Sequence, residues 1–170
     1  MRMVDPILAE IDQEAPATRR VLAAVPGDKL TWKPHEKSMS LGRLAQHVAE
    51  IQGRLAEATV PDLFDVTTIP KRPEPTTHAE IMDTFETGLV RVKEIIGETD
   101  DARAAASWEF VAQGNPIFKM PRIAAYRSLL MNHLYHHRGQ LSVYLRLLEV
   151  SVPHIYGPSA DDNPFIPKAA

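Results

Sequence analysis

A chain of 170 residues, 44% of them hydrophobic, holds enough apolar material for one substantial core and leaves little chain for a second. Its 19 lysines and arginines against 22 aspartates and glutamates give a formal charge of -3, which excludes a broad positive field along a phosphate backbone, so no nucleic acid partner is expected. Cysteine is absent, which removes disulfides, thiolate metal ligands and cysteine nucleophiles together, so any transition metal must be held by imidazole and oxygen.

The opening Met1-Arg2-Met3-Val4-Asp5-Pro6 lacks a secretory pattern, and no run of about 18 apolar residues occurs, so a cytoplasmic location without a membrane partner is expected. A first helix is predicted from about Pro6 to Ala24, with Asp5 as its cap and Pro6 in its first turn. Ile7, Leu8, Ile11, Thr18, Val21, Leu22 and Val25 form its apolar stripe, and Pro16 predicts a kink or an early break. Pro26-Gly27-Asp28 reads as a turn, and Leu30-Thr31-Trp32-Lys33-Pro34 as a short extended or turn segment that anchors a tryptophan.

A second helix begins after Ser40, whose hydroxyl can cap it, and continues to about Ala58. Leu41, Leu44, Val48, Ile51 and Leu55 recur at helical spacing, and His47, between Leu44 and Ile51, points toward the same stripe. Pro61 to Thr76 is proline-rich and reads as a long connection. Thr77 and Glu80 form a capping-box pattern ahead of Ile81, Phe85, Leu89, Val92 and Ile96, a third helix that Gly97 terminates.

Asp100 to Ala106 can add a short helix, while Trp108, Phe110, Gly114, Pro116 and Phe118 suggest a folded loop with aromatic anchors. The fourth helix starts at Pro121 and reaches Glu149, with Ile123, Tyr126, Leu130, His133, His137, Leu141, Tyr144 and Leu148 on one broad face. Beyond it, Pro153, Gly157, Pro158, Pro164 and Pro167 favour a coil draped on the domain. Four helical patterns without strand alternation define the expected fold class, all-α, a four-helix bundle whose two middle gaps are long enough to cross over. The expected organisation is a single helical-bundle domain over 1–150 and a proline-rich segment, 151–170, packed on it.

The chemistry concentrates in His133-Leu134-Tyr135-His136-His137. At about 100° per residue, positions 133 and 137 differ by about 40°, whereas 136 sits about 60° from 133 and about 100° from 137. His133 and His137 are therefore the natural chelate for one divalent ion, and His136 belongs to the surface, an interface or a supporting role. His47 is the best third ligand, because it is the other histidine on the apolar side of a long helix. Three neutral imidazoles would leave room for water or substrate and make a Lewis-acid centre. The competing reading is a set of packed, hydrogen-bonded histidines with no ion. Glu50 can tune or ligate, or face solvent; Gln140 can hydrogen-bond near the site or face solvent; Arg138 reads first as an exposed side chain. Gly139 in a strong helix suggests close packing by backbone or a partner.

Leu30-Thr31-Trp32-Lys33-Pro34 before a helix, Leu44-Ala45-Gln46-His47 on it, and Asn132-His133-Leu134-Tyr135-His136-His137-Arg138-Gly139-Gln140-Leu141 on the last helix resemble the DinB-like superfamily of metal-dependent four-helix-bundle proteins, over most of the chain. The resemblance implies His47, His133 and His137 as the metal ligands, a nickel, zinc or related divalent ion, and a homodimer. Some relatives use bacillithiol, mycothiol or glutathione, so the functional expectation is an enzyme that activates water or a low-molecular-weight thiol, a hydrolase or a thiol S-transferase acting on a small electrophilic substrate. The alternative is a non-catalytic metal-binding or damage-response accessory protein. Pro153-His154-Ile155-Tyr156-Gly157-Pro158-Ser159 also resembles a segment of part of this superfamily and is expected near a cleft or dimer edge, or as a stiffened tail over apolar helix ends.

Overall fold

The computed structural model describes residues 1–70 and 73–166. Helix α1 spans Asp5–Ala23, α2 Leu41–Ala58, α3 His78–Gly97 and the short α4 Asp101–Ala105. The last helical stretch is continuous but composite: α5 Arg122–Ala125, a π-helical segment Tyr126–Met131, and α6 Asn132–Leu147. The expected caps form where a short polar side chain meets an open amide. Ser40 Oγ accepts from Arg43 N at 3.0 Å, and Thr77 Oγ1 accepts from Glu80 N at 3.2 Å. The Leu30–Trp32 segment adds to the first of these, because the Leu30 and Trp32 carbonyls accept from Gly42 N and Leu41 N at 2.8 Å.

Two expectations about α1 change. Its cap position is Val4, and the Asp5 carboxylate turns back to accept from Arg2 N at 2.7 Å. The helix also continues through Pro16, because Ile11, Ala15, Ala17, Thr18 and Val21 on both sides of it are buried, and that packing outweighs one lost backbone bond.

Side-chain contacts fix the helix directions. Arg2 Nη1 donates to Gly97 O at 2.6 Å and Arg19 Nε to Glu86 Oε1 at 2.6 Å, so α1 and α3 are antiparallel. Gln46 meets Thr84 at 3.0 Å and Glu57 meets Arg91 at 3.4 Å, so α2 and α3 run parallel. Parallel sequence neighbours need a connection that travels back along the bundle, and 59–77 supplies this expected crossover. The parallel pair is also close: a Cβ on Gly53 would lie 2.9 Å from Gly88 Cα, so glycine is required where the two backbones touch.

The expected aromatic loop is instead a small sheet. Strand β1 (Leu63–Asp65) lies parallel to β2 (Ser107–Ala112), which forms a hairpin with β3 (Asn115–Pro121). Gln113 and Gly114, with φ of 51° and 76°, make the turn between them. Pro116 and Pro121 are tolerated because β3 is an edge strand. Trp108 is fully buried there and donates from Nε1 to Ala58 O at 3.0 Å, with Phe64, Phe110, Phe118 and Met120 around it. The main core, by contrast, is the aliphatic filling of the helices, from Ile11, Leu22, Leu44 and Ile51 to Ile81, Phe85, Leu134 and Leu141. Past α6, Val150, Val152 and Ile155 pack against that core; Pro167, named above, lies outside the described residues.

Candidate metal centre

Helices α2 and α6 meet antiparallel, since Tyr144 OH donates to Met39 O at 3.3 Å just before α2, while His47 and His133 meet further along it. This arrangement brings three of the chain's histidines together. His47 Nε2 and His133 Nε2 are 3.0 Å apart, and the ring centroids lie 5.0 Å (His47 and His133), 4.5 Å (His47 and His137) and 4.6 Å (His133 and His137) apart. One nitrogen from each ring falls within 4.8 Å of the other two, close enough for a modest closing motion to place all three on one ion at about 2.0 to 2.1 Å. The two positions one turn apart on α6 converge as helical geometry dictates.

The electrostatics favour the neutral form of the two α6 rings. Burial, with smaller contributions from His137, His47 and His136, pushes the His133 pKa down to about 4. Burial also lowers His137, partly offset by its hydrogen bond to Gln140. Neutral imidazole is the form that offers a lone pair to a metal. His137 Nδ1 donates to Gln140 Oε1 at 2.7 Å, which leaves Nε2 as the available lone pair.

His47 has a charged neighbour of its own. Glu50, 4% exposed, places Oε1 3.7 Å from His47 Nδ1 and 3.7 Å from Arg43, and its Oε2 accepts from Arg54 at 3.1 Å. Burial works to raise this carboxyl, but His47, Arg54 and Arg43 outweigh it and hold it below its ordinary range. Of the alternatives open for Glu50, solvent exposure is therefore removed, and among the described residues it is not in the group whose ligand atoms converge. His136 is exposed at the rim, its ring centroid 4.7 Å from that of His137. The donor set thus fits a divalent ion: three imidazoles, two of them pushed toward neutrality, with a carboxylate beside His47 and an amide oxygen on His137.

Two cavities, of about 420 and about 320 Å³, lie along the α2–α3 seam and are lined by Glu50, Arg54, Asp83 and Arg91 and by Gln46, Glu74 and Asp83 respectively. Neither is lined by a histidine; Glu50 alone links the larger one to the cluster.

Arg138 departs most from expectation. It is 1% exposed, not a surface side chain, and pairs with the equally buried Glu14 of α1 at 2.6 Å. Glu14 was overlooked as a partner, although a sequence signal exists: it falls between Ile11 and Thr18 on the apolar stripe of α1, where an ionised group needs a buried counter-charge. Gly139 also differs, because a Cβ there meets nothing within 4 Å, so close backbone packing inside the chain is not its reason.

A mainly helical bundle with a long crossover, carrying a histidine cluster able to coordinate a divalent ion between antiparallel helices, defines the class of protein. The chain belongs to the DinB family, whose pattern matches residues 2–167. It is similar to the uncharacterized protein YrdA of Bacillus subtilis, with 27% identity over 94% of this chain and 91% of that protein. A crystal structure of a DinB-like protein from Bacillus cereus superposes with a TM-score of 0.71 at 25% identity, covering 88% of this chain and 95% of that one. A DinB-like protein from Bacillus subtilis shares the fold at a TM-score of 0.68 and 18% identity, over 94% of this chain and 100% of that one.

Proposed function

We propose that this protein is a divalent-metal-dependent enzyme in which His47, His133 and His137 are the ligands and nickel or zinc the ion. The observation that supports it is the convergence of three imidazole nitrogens from two helices within 4.8 Å, two of the rings with depressed basicity. When bound, the ion would supply Lewis acidity, activating water or a low-molecular-weight thiol for attack on a small electrophile. The chain's own part is to keep His133 and His137 toward neutrality, to orient His137 through Gln140, and to set a carboxylate beside His47. The protein acts in the cytoplasm, as a homodimer, with residues 1–150 as one helical domain and 151–170 packed on it.

A second reading, a metal-binding accessory protein without turnover, is favoured by the absence of histidines from the lining of the two seam cavities. Elemental analysis of untagged protein, compared with His47→Ala, His133→Ala and His137→Ala, tests the ligand set. Stoichiometric metal in the wild type and its loss in each variant is the expected result; full metal retention in all three overturns it. Screening metal-loaded protein against small electrophiles with and without thiols then separates the enzyme from the accessory protein.

A further inference from the structure

Helix α6 is gripped on two sides. His133 and His137 face α2, while Tyr135 and Arg138 face α1. On the α1 side, Arg138 Nη2 donates to Glu14 Oε2 at 2.6 Å and to Tyr156 OH at 2.5 Å, and Nη1 donates to Thr18 Oγ1 at 2.9 Å. Tyr156 OH in turn donates to Glu14 Oε2 at 3.0 Å, closing a ring of three groups. The guanidinium also lies between two aromatic rings, 5.4 Å from the Tyr135 centroid and 5.1 Å from that of Tyr156. Glu10, one turn before Glu14, takes Tyr135 OH and Arg127 at 2.5 Å each.

Tyr156 comes from the segment after α6, and that segment is tied down independently. His154 Nδ1 donates to Asp162 Oδ2 at 2.6 Å while Arg20 Nη2 donates to His154 Nε2 at 3.1 Å. Asp161 pairs with Arg146 at 2.5 Å and accepts from Val152 N at 2.9 Å, and Ser159 Oγ donates to Val152 O at 2.6 Å. The segment is therefore a preformed loop that presents one phenol to the residue next to His137.

We propose that Arg138 is the positioning residue of the histidine cluster and that the C-terminal segment, through Tyr156, is the latch that completes its hydrogen-bond set and fixes the rotation of α6. The physical reason is tolerance. Ligand nitrogens on α2 and α6 must reach one ion within a few tenths of an ångström, and a helix free to turn by a small angle about its axis shifts both α6 ligands together. A planar guanidinium held by four acceptors, the Glu14 carbonyl among them, and by two ring faces resists that turn, as a flexible lysine would not. This inference rests on the metal-binding reading for its functional meaning, but its structural part can be tested apart from it.

Tyr156→Phe removes one oxygen from a residue that is 69% exposed, so the fold persists. Cobalt(II) serves as the probe. The dissociation constant for cobalt is expected to rise about tenfold, within the usual range for residues that support metal ligands. The visible spectrum of the bound ion should change with it. In the metal-free protein, amide hydrogen exchange over 133–141 should quicken while α2 and α3 keep their protection, and Arg138→Lys should reproduce the pattern more strongly. Wild-type cobalt affinity together with unchanged exchange in α6 overturns the latch, even if the melting temperature falls, because that is the signature of a merely structural bond. If wild-type protein takes up no cobalt, the proposed function fails separately, and exchange alone decides: selective loosening of α6 supports the latch, and uniform or absent change overturns it.

Discussion

The two polar faces of α6 are built on opposite principles. Facing α1, Arg138 and Glu14 are buried, ion-paired with each other and hydrogen-bonded to Thr18 and Tyr156. Facing α2, the three histidines are half-buried, His133 and His137 are shifted toward neutrality, and one ring nitrogen of each lies within 4.8 Å of the other two. Ion pairing of that kind organises structure, whereas imidazole nitrogens gathered from two helices can offer lone pairs to a cation. The sequence points to the histidines by their spacing, but nothing local in it pairs Arg138 with Glu14, because that contact joins residues 124 positions apart on different helices.

Breaking the charged face should have the largest effect. Arg138→Ala leaves the Glu14 carboxylate buried without its partner, and denaturant unfolding of the metal-free protein is expected to show a loss of about 3–5 kcal/mol. His133→Ala should cost the metal-free protein far less and abolish stoichiometric metal uptake, measured by elemental analysis. If the two variants lose stability equally, the contrast between the faces collapses. Gln140→Leu sharpens it on the other side: with no acceptor on His137 Nδ1, metal affinity should fall roughly 10- to 100-fold by competition titration, with little change in metal-free stability.

Acid provides a further contrast. His133 is held near a pKa of about 4 against an ordinary 6.5, so between those values the unfolded chain takes up a proton that the folded protein refuses. The metal-free protein should accordingly keep this contribution above about pH 6.5 and lose it as pH falls toward about 4, a trend His133→Ala should flatten in pH-dependent melting. Smallest of all, Gly139→Ala enters open space on an exposed helix position and should stabilise the protein by up to about 1 kcal/mol in the same denaturation assay. A loss instead would mean that a partner packs on that face.

Much of this was legible in the chain itself. The helix caps at Ser40 and Thr77, the apolar stripes, the length of the 59–77 connection and the convergence of His133 with His137 all follow from local rules of spacing and hydrogen bonding. The hairpin was legible in principle, since Trp108 and Phe110 alternate toward Gln113-Gly114 and Phe118 and Met120 alternate away from it. Pro116 and the shortness of each run masked it, and only pairing with β1 and burial of Trp108 under Ala58 make those strands stable.

What the sequence determined by itself was therefore local: which residues cap, which faces are apolar, and that two histidines one turn apart share a direction. What only the tertiary structure decided was non-local. Arg138 became a core residue because α1 and α6 run parallel and bring Glu14 opposite it; Glu50 became buried beside His47; Gly53, rather than Gly139, became the glycine that helix packing requires. The reason is physical. A side chain's spacing fixes the direction in which it leaves its own helix, but its charge state and burial depend on what the next helix brings to meet it.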